Sequence, residues 1–128
     1  MNVTPPTPLV MQKLKSAFSD FIVIAPHIPK IARYSLGAKI EQSFVGTLEM
    51  THQAVFASIE KKSILLGQAI TRLDTLSFFL QIAWENKLLP DQKYIALAEK
   101  LIDIGKNLGG WKKSVEAKII QTKTPKQY

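Results

Sequence analysis

The stretch I-L-L-G-Q-A-I-T-R-L-D-T-L-S-F-F-L-Q-I-A-W, from Ile64 to Trp84, decides the fold class. Its apolar residues do not alternate. Leu65, Leu66, Ala69, Ile70, Leu73, Leu76, Phe79, Leu80, Ala83 and Trp84 recur at spacings of three and four, the period of an amphipathic helix. A helix is predicted over roughly 61–87. Its apolar band covers more than half the circumference, and Phe78 and Ile82 widen it further. One groove inside a helical bundle rarely needs so wide a face. Either this is the central helix of the bundle, or part of the band covers a second subunit.

The flanking segments repeat the pattern. Thr7-Pro8 reads as a helix start, with Thr as cap and Pro in the first turn. Val10, Leu14, Ala17, Phe18, Phe21 and Ala25 then follow at helical spacing up to Pro26. Pro26-His27-Ile28-Pro29 is a rigid corner, because a proline disfavours helix in the residue before it. A second helix is expected from about Lys30 to Ala57, with Leu36, Ile40, Phe44, Leu48 and Val55 on one face. The run from Ser58 to Lys62 reads as a short polar break. Pro90-Asp91 opens a fourth helix, with Asp91 at the positive end of the helix dipole. Leu97, Leu101, Ile104, Leu108, Val115 and Ile119 line one side of it. Four helices on short links imply an all-α, antiparallel four-helix bundle. One domain is expected over 1–128, with residues 1–7 and 121–128 flexible.

The fourth helix contains the puzzling run I-G-K-N-L-G-G-W-K-K-S-V, Ile104 to Val115. Glycines commonly end helices in a left-handed turn. Here Trp111, Val115 and Ile119 continue the apolar side begun before them, so a continuous helix is expected. Gly105 and Gly109 would then share a face that admits a neighbouring helix. Lys106 and Lys113 would share an exposed one.

The chain carries 17 basic and 10 acidic residues among 128, a net charge of +7. From Lys106 to the end there are six lysines and one glutamate. Such a surface attracts polyanions, nucleic acid above all. Lys61, Lys62, Arg72, Lys106, Lys112, Lys113 and Lys118 are the candidate contacts. Arg72 projects inside the apolar band. It must therefore meet a carboxylate, reach water along its stem, or line an assembly interior. The cations are almost all lysines, mobile point charges that suit phosphate contact better than base reading. No cysteine is present, no secretory start is evident, and no apolar run is long enough to span a bilayer. A cytoplasmic location is expected.

Catalysis and metal chemistry find little footing. Glu49-Met50-Thr51-His52 has the spacing that di-iron bundles use, but such sites need two such motifs and two more carboxylates. The only other histidine is His27, in the proline corner. His52 reads instead as a hydrogen-bonded residue on the flank of the second helix. The glycines at 105, 109 and 110 do not follow a strand and lack phosphate-loop spacing. No nucleophile has a neighbouring base. The expectation is a protein without enzymatic activity, cofactor or metal.

Ile28-Pro29-Lys30-Ile31-Ala32-Arg33-Tyr34-Ser35-Leu36-Gly37 resembles the opening of the second helix in the four-helix-bundle proteins related to the rRNA intervening-sequence protein. The run Ile104–Ser114 resembles the Avd branch of that group, which belongs to diversity-generating retroelements. The resemblance spans roughly residues 9–117. It implies an up-down-up-down bundle that assembles into a homopentameric barrel. It also implies an accessory role, in which the protein associates with the element's reverse transcriptase and binds nucleic acid, template RNA or complementary DNA, through a basic surface. The alternative is a structural or protein-interaction bundle of the intervening-sequence type, with no retroelement role.

Overall fold

The computed structural model describes residues 8–123. Helix α1 spans Leu9–Ile24. Pro8 takes the cap position rather than the first helical one, and Thr7, expected as the cap, lies outside the described residues. Val10, Leu14, Ala17, Phe21 and Ile24 are buried, alternating four and three apart, so they form one stripe along the helix. The helix ends before Pro26 in a 3-10 turn, Ala25–His27.

The corner is held by Arg33. Its Nη2 donates to the carbonyl oxygens of Pro26 at 2.7 Å and Ile28 at 3.1 Å. Ile28 itself is buried. The second helix, α2, begins as a short turn Lys30–Ala32, passes through a π-helical turn Arg33–Gly37, and continues as Ala38–Phe56. One wider turn shifts the face of a helix. Gly37 is buried here, whereas Leu36 is only half-buried. A Cβ on Gly37 would lie 3.8 Å from Cδ1 of Ile28, so the small residue sits against the corner's apolar plug.

The buried line on α2 differs from the expected one. Ile40, Phe44, Thr47, Thr51 and Ala54 are buried, while Leu48 and Val55 are half-buried. The reason is geometric. Repeated steps of four residues drift about 40° each around a helix of 3.6 residues per turn. Alternating threes and fours stay on the core, and here those positions fall on hydroxyls. Ser43 Oγ donates to Lys39 O at 2.9 Å, Thr47 Oγ1 to Ser43 O at 2.8 Å and Thr51 Oγ1 to Thr47 O at 2.7 Å. Each hydroxyl thus meets a carbonyl one turn back, which removes the penalty for burying it.

Helix α3 spans Ile59–Glu85. Ser58 caps it, accepting the Lys61 N–H at 3.4 Å. The break between the helices is therefore Ala57 and Ser58, so α2 ends one residue earlier than expected and Ile59–Lys62 belong to α3. Leu66, Ala69, Leu73, Leu76, Leu80 and Ala83 are buried. Leu65, Ile70 and Phe79 are partly buried and pack against the core, while Phe78 stays outside at 58% exposed, as does neighbouring Ile64 at 62%.

The turn into the last helix is closed by backbone bonds. Lys87 N–H donates to Trp84 O and Leu88 N–H to Ala83 O, each at 2.9 Å, the double bond pattern of a Schellman cap. That cap needs a left-handed residue, and Lys87 has φ 60°. A side chain there strains the backbone by about 1 kcal/mol. Lys87→Gly should therefore raise stability by roughly 0.5–1 kcal/mol. Chemical denaturation checks this; a destabilised variant would show that the lysine side chain contributes more than its strain costs.

Helix α4, Asp91–Lys123, runs unbroken through the glycines. It reaches three residues into the tail expected to be flexible; 124–128, like 1–7, lie outside the described residues. Its start is clasped to α3: Trp84 Nε1 donates to Asp91 Oδ1 at 2.8 Å, and the Trp84 ring stacks on Tyr94 at 4.7 Å. Leu97, Leu101, Ile104, Leu108 and Val115 join the common core, with Trp111 packed against it.

Candidate nucleic-acid interface

The contacts between helices set where the candidate cations lie. On α1 and α4, Lys13 pairs with Asp103 at 2.6 Å and hydrogen-bonds Asn107, while Lys100 pairs with Asp20 and bonds Ser16. On α3 and α4, Cε of Lys112 lies 3.4 Å from a Cβ built on Gly67, and Cδ2 of Leu73 lies 3.5 Å from one on Gly105. Residue numbers rise on one helix as they fall on the other. Lys61 lies six residues before Gly67, and Lys118 six after Lys112. At 1.5 Å per residue each lies about 9 Å further along, toward the same end of the α3–α4 pair. The start of α3 and the finish of α4 thus place their lysines at one end of the pair.

The candidates differ in what they are free to do. Lys62 Nζ donates to Val55 O at 3.1 Å and Ala57 O at 2.9 Å. It closes the last turn of α2, whose carbonyls otherwise lack partners. Lys112 lays its stem over Gly67 and pairs with Glu116 at 3.0 Å. That resolves how a lysine near the apolar side reaches water. Lys61, Lys106, Lys113 and Lys118 are exposed, and among the described residues their ammonium groups have no partner. Lys61, Lys113 and Lys118 form the open part of the basic end. Lys106 lies seven residues before Lys113, on the same outward face but toward the middle of the bundle.

Arg72 stands apart. It is exposed, not enclosed in the apolar band, and among the described residues no carboxylate pairs with it. It escapes the band by lying across α2 at Gly46: a Cβ there would meet its Cδ at 2.6 Å and its Nε and Nη1 at 3.1 Å. Of the three fates open to it, reaching water along its stem is the one observed. Lys39, absent from the sequence-based candidates, lines a cleft between α2 and α3 together with Arg72. No spacing rule could pair the two, because they lie on different helices. Only the packing of α2 on α3 brings them to one cleft.

Two other expectations change. Gly105 does admit a neighbour, Leu73, at ordinary contact distance. Among the described residues, nothing comes within 4 Å of a Cβ on Gly109 or Gly110, so no helix of this chain packs closely there. Helix α1 accounts for the opening: it meets α4 through Asp103 and Asn107 already at Lys13, within its first turns. His52 is exposed and meets Phe56 edge-on at 5.4 Å instead of making the expected hydrogen bond. Among the described residues no three acidic or histidine side chains converge as metal ligands would.

A family model described as bAvd-like matches residues 9–115, from the first residue of α1 into the last turns of α4. The chain belongs to the bAvd-like family. No curated protein matches it. The bAvd-like match takes in both resembling stretches, the Arg33 corner and the glycine run. It stops at residue 115, before Lys118. No helix among the described residues is long and apolar enough to cross a membrane.

Proposed function

We propose that this bAvd-like chain is the non-catalytic accessory protein of a diversity-generating retroelement. In this reading it works in the cytoplasm, binds the element's reverse transcriptase, and holds template RNA or complementary DNA. The carrying observation is the shared end of α3 and α4, where Lys61, Lys113 and Lys118 stand exposed without partners. A cluster of unpaired ammonium groups binds phosphates by releasing counterions, whatever the sequence. Filter binding of RNA and DNA across a salt series tests the reading. Affinity should be highest at low salt and fall linearly on a log–log plot. Salt-independent binding, or no binding at low salt, would count against it.

The opposed contact registers along α1–α4 and α3–α4 support an antiparallel, up-down-up-down arrangement. The apolar residues left outside the core, Phe78 on α3 and Ile102 on α4, support assembly. We read the assembled form as a homopentameric barrel. Light scattering should return a mass near five subunits; a monomer at micromolar concentration would sink the assembly.

A further inference from the structure

A cleft of about 630 Å³ opens between α2 and α3, running from Lys39 and Thr75 to Ile64, one turn short of Lys61. Lys39 and Arg72 line it, together with Gln42, Gln68, Met50 and Ile64, and among the described residues no carboxylate does. Both cations are held in place. The exposed Arg72 side chain rests on the bare backbone at Gly46, with its Nε and Nη1 as well as its stem against the glycine. The Lys39 ammonium stands 5.8 Å over the Phe79 ring. A smaller cleft that Arg72 also lines contains Glu41 and Glu49, so an anion is drawn to the Lys39 side. Arginine's fixed donors match a phosphate in two-point contact.

We infer that this cleft takes one segment of single-stranded polynucleotide. The anchor points of Lys39 and Arg72, Phe79 and Gly46, lie about 10 Å apart along the helices, so the two cations take separate phosphates of the strand. A base lies against Met50 and Ile64, with its edge toward the amides of Gln42 and Gln68. The inference rests on the nucleic-acid reading above and adds a second locus, with a chemistry the lysine end lacks. The end offers point charges alone, whereas the cleft offers a forked donor, amides and apolar surface. Neighbouring helix axes lie roughly 8–10 Å apart, so the trough between them admits one strand and not a duplex.

Fluorescence anisotropy with a short labelled oligouridylate, read across salt, tests this. Arg72→Gln should weaken binding about fivefold near 0.1 M salt and make the salt slope shallower by about 0.7, the value for one phosphate of a single strand. Lys39→Gln should act similarly. Both positions are exposed, so melting curves should match the native protein. Duplex RNA should compete poorly, and uridine monophosphate far more weakly than the oligomer. Unchanged affinity and slope in Arg72→Gln would overturn the cleft but leave the lysine end standing. Equal competition by duplex or by the mononucleotide would overturn the single-strand assignment. A native protein that binds no RNA or DNA at low salt would remove both loci together.

Discussion

Replacing Lys61, Lys113 and Lys118 together with glutamine should weaken RNA binding roughly 100-fold near 0.1 M salt. Each single-strand phosphate contact contributes a salt slope of about 0.7, so three contacts carry about two orders of magnitude at that concentration. The same arithmetic makes the loss shrink toward 1 M salt, where counterion release no longer favours binding. A measured slope reduced by about 2 would identify all three as phosphate contacts. The three residues are exposed and without partners among the described residues, so the variant should melt like the native protein. Lys62 is left out on purpose. Its ammonium holds the last carbonyls of α2, and its removal would mix a folding effect into a binding measurement. A triple variant with native affinity and native slope would show that nucleic acid is bound elsewhere.

Phe44→Ala should cost about 3–5 kcal/mol of stability, the range for truncating a buried aromatic residue. Phe44 is 0% exposed. Its ring stands 5.4 Å from that of Phe18 and 5.5 Å from that of Phe21, so α1 and α2 are joined through a three-ring cluster. Such pairs add about 0.5–1.5 kcal/mol beyond the area they bury. The loss is a large share of the roughly 5–15 kcal/mol that holds a domain folded. Urea unfolding followed by circular dichroism gives the value. A loss below about 1 kcal/mol would mean that the cluster closes over the gap, which α2 could do only by moving toward α1.

The hydroxyl face of α2 shows where reading a sequence by polarity fails. Ser43, Thr47 and Thr51 look like a solvated side, and the bulkier Leu48 and Val55 look like core. The hydroxyls can be buried because each bonds a carbonyl of its own helix, so the residues that count are those on the 3–4 repeat, whatever their polarity. Arg72 fails for a related reason. Its position on the helix is apolar, yet one glycine on a different helix opens a path for its stem. Lys62 and Lys112 were legible as cations but not as a cap and a paired side chain, since both roles depend on groups on other turns or other helices.

The sequence by itself determined the local part of this protein. Four helices, the rigid corner between two prolines, and a last helix that ignores its glycines all follow from periodicity, proline sterics and the continuation of an apolar stripe. These are effects within a few residues of one another. The tertiary structure alone decided which cations share a surface. Lys61 lies at the same end as Lys113 and Lys118 because α3 and α4 pack with opposed numbering, and Lys39 lines a cleft with Arg72 because α2 lies against α3. The physical reason is that an electrostatic site is made of distances between helices, and those are set by how buried side chains interlock, not by spacing along the chain.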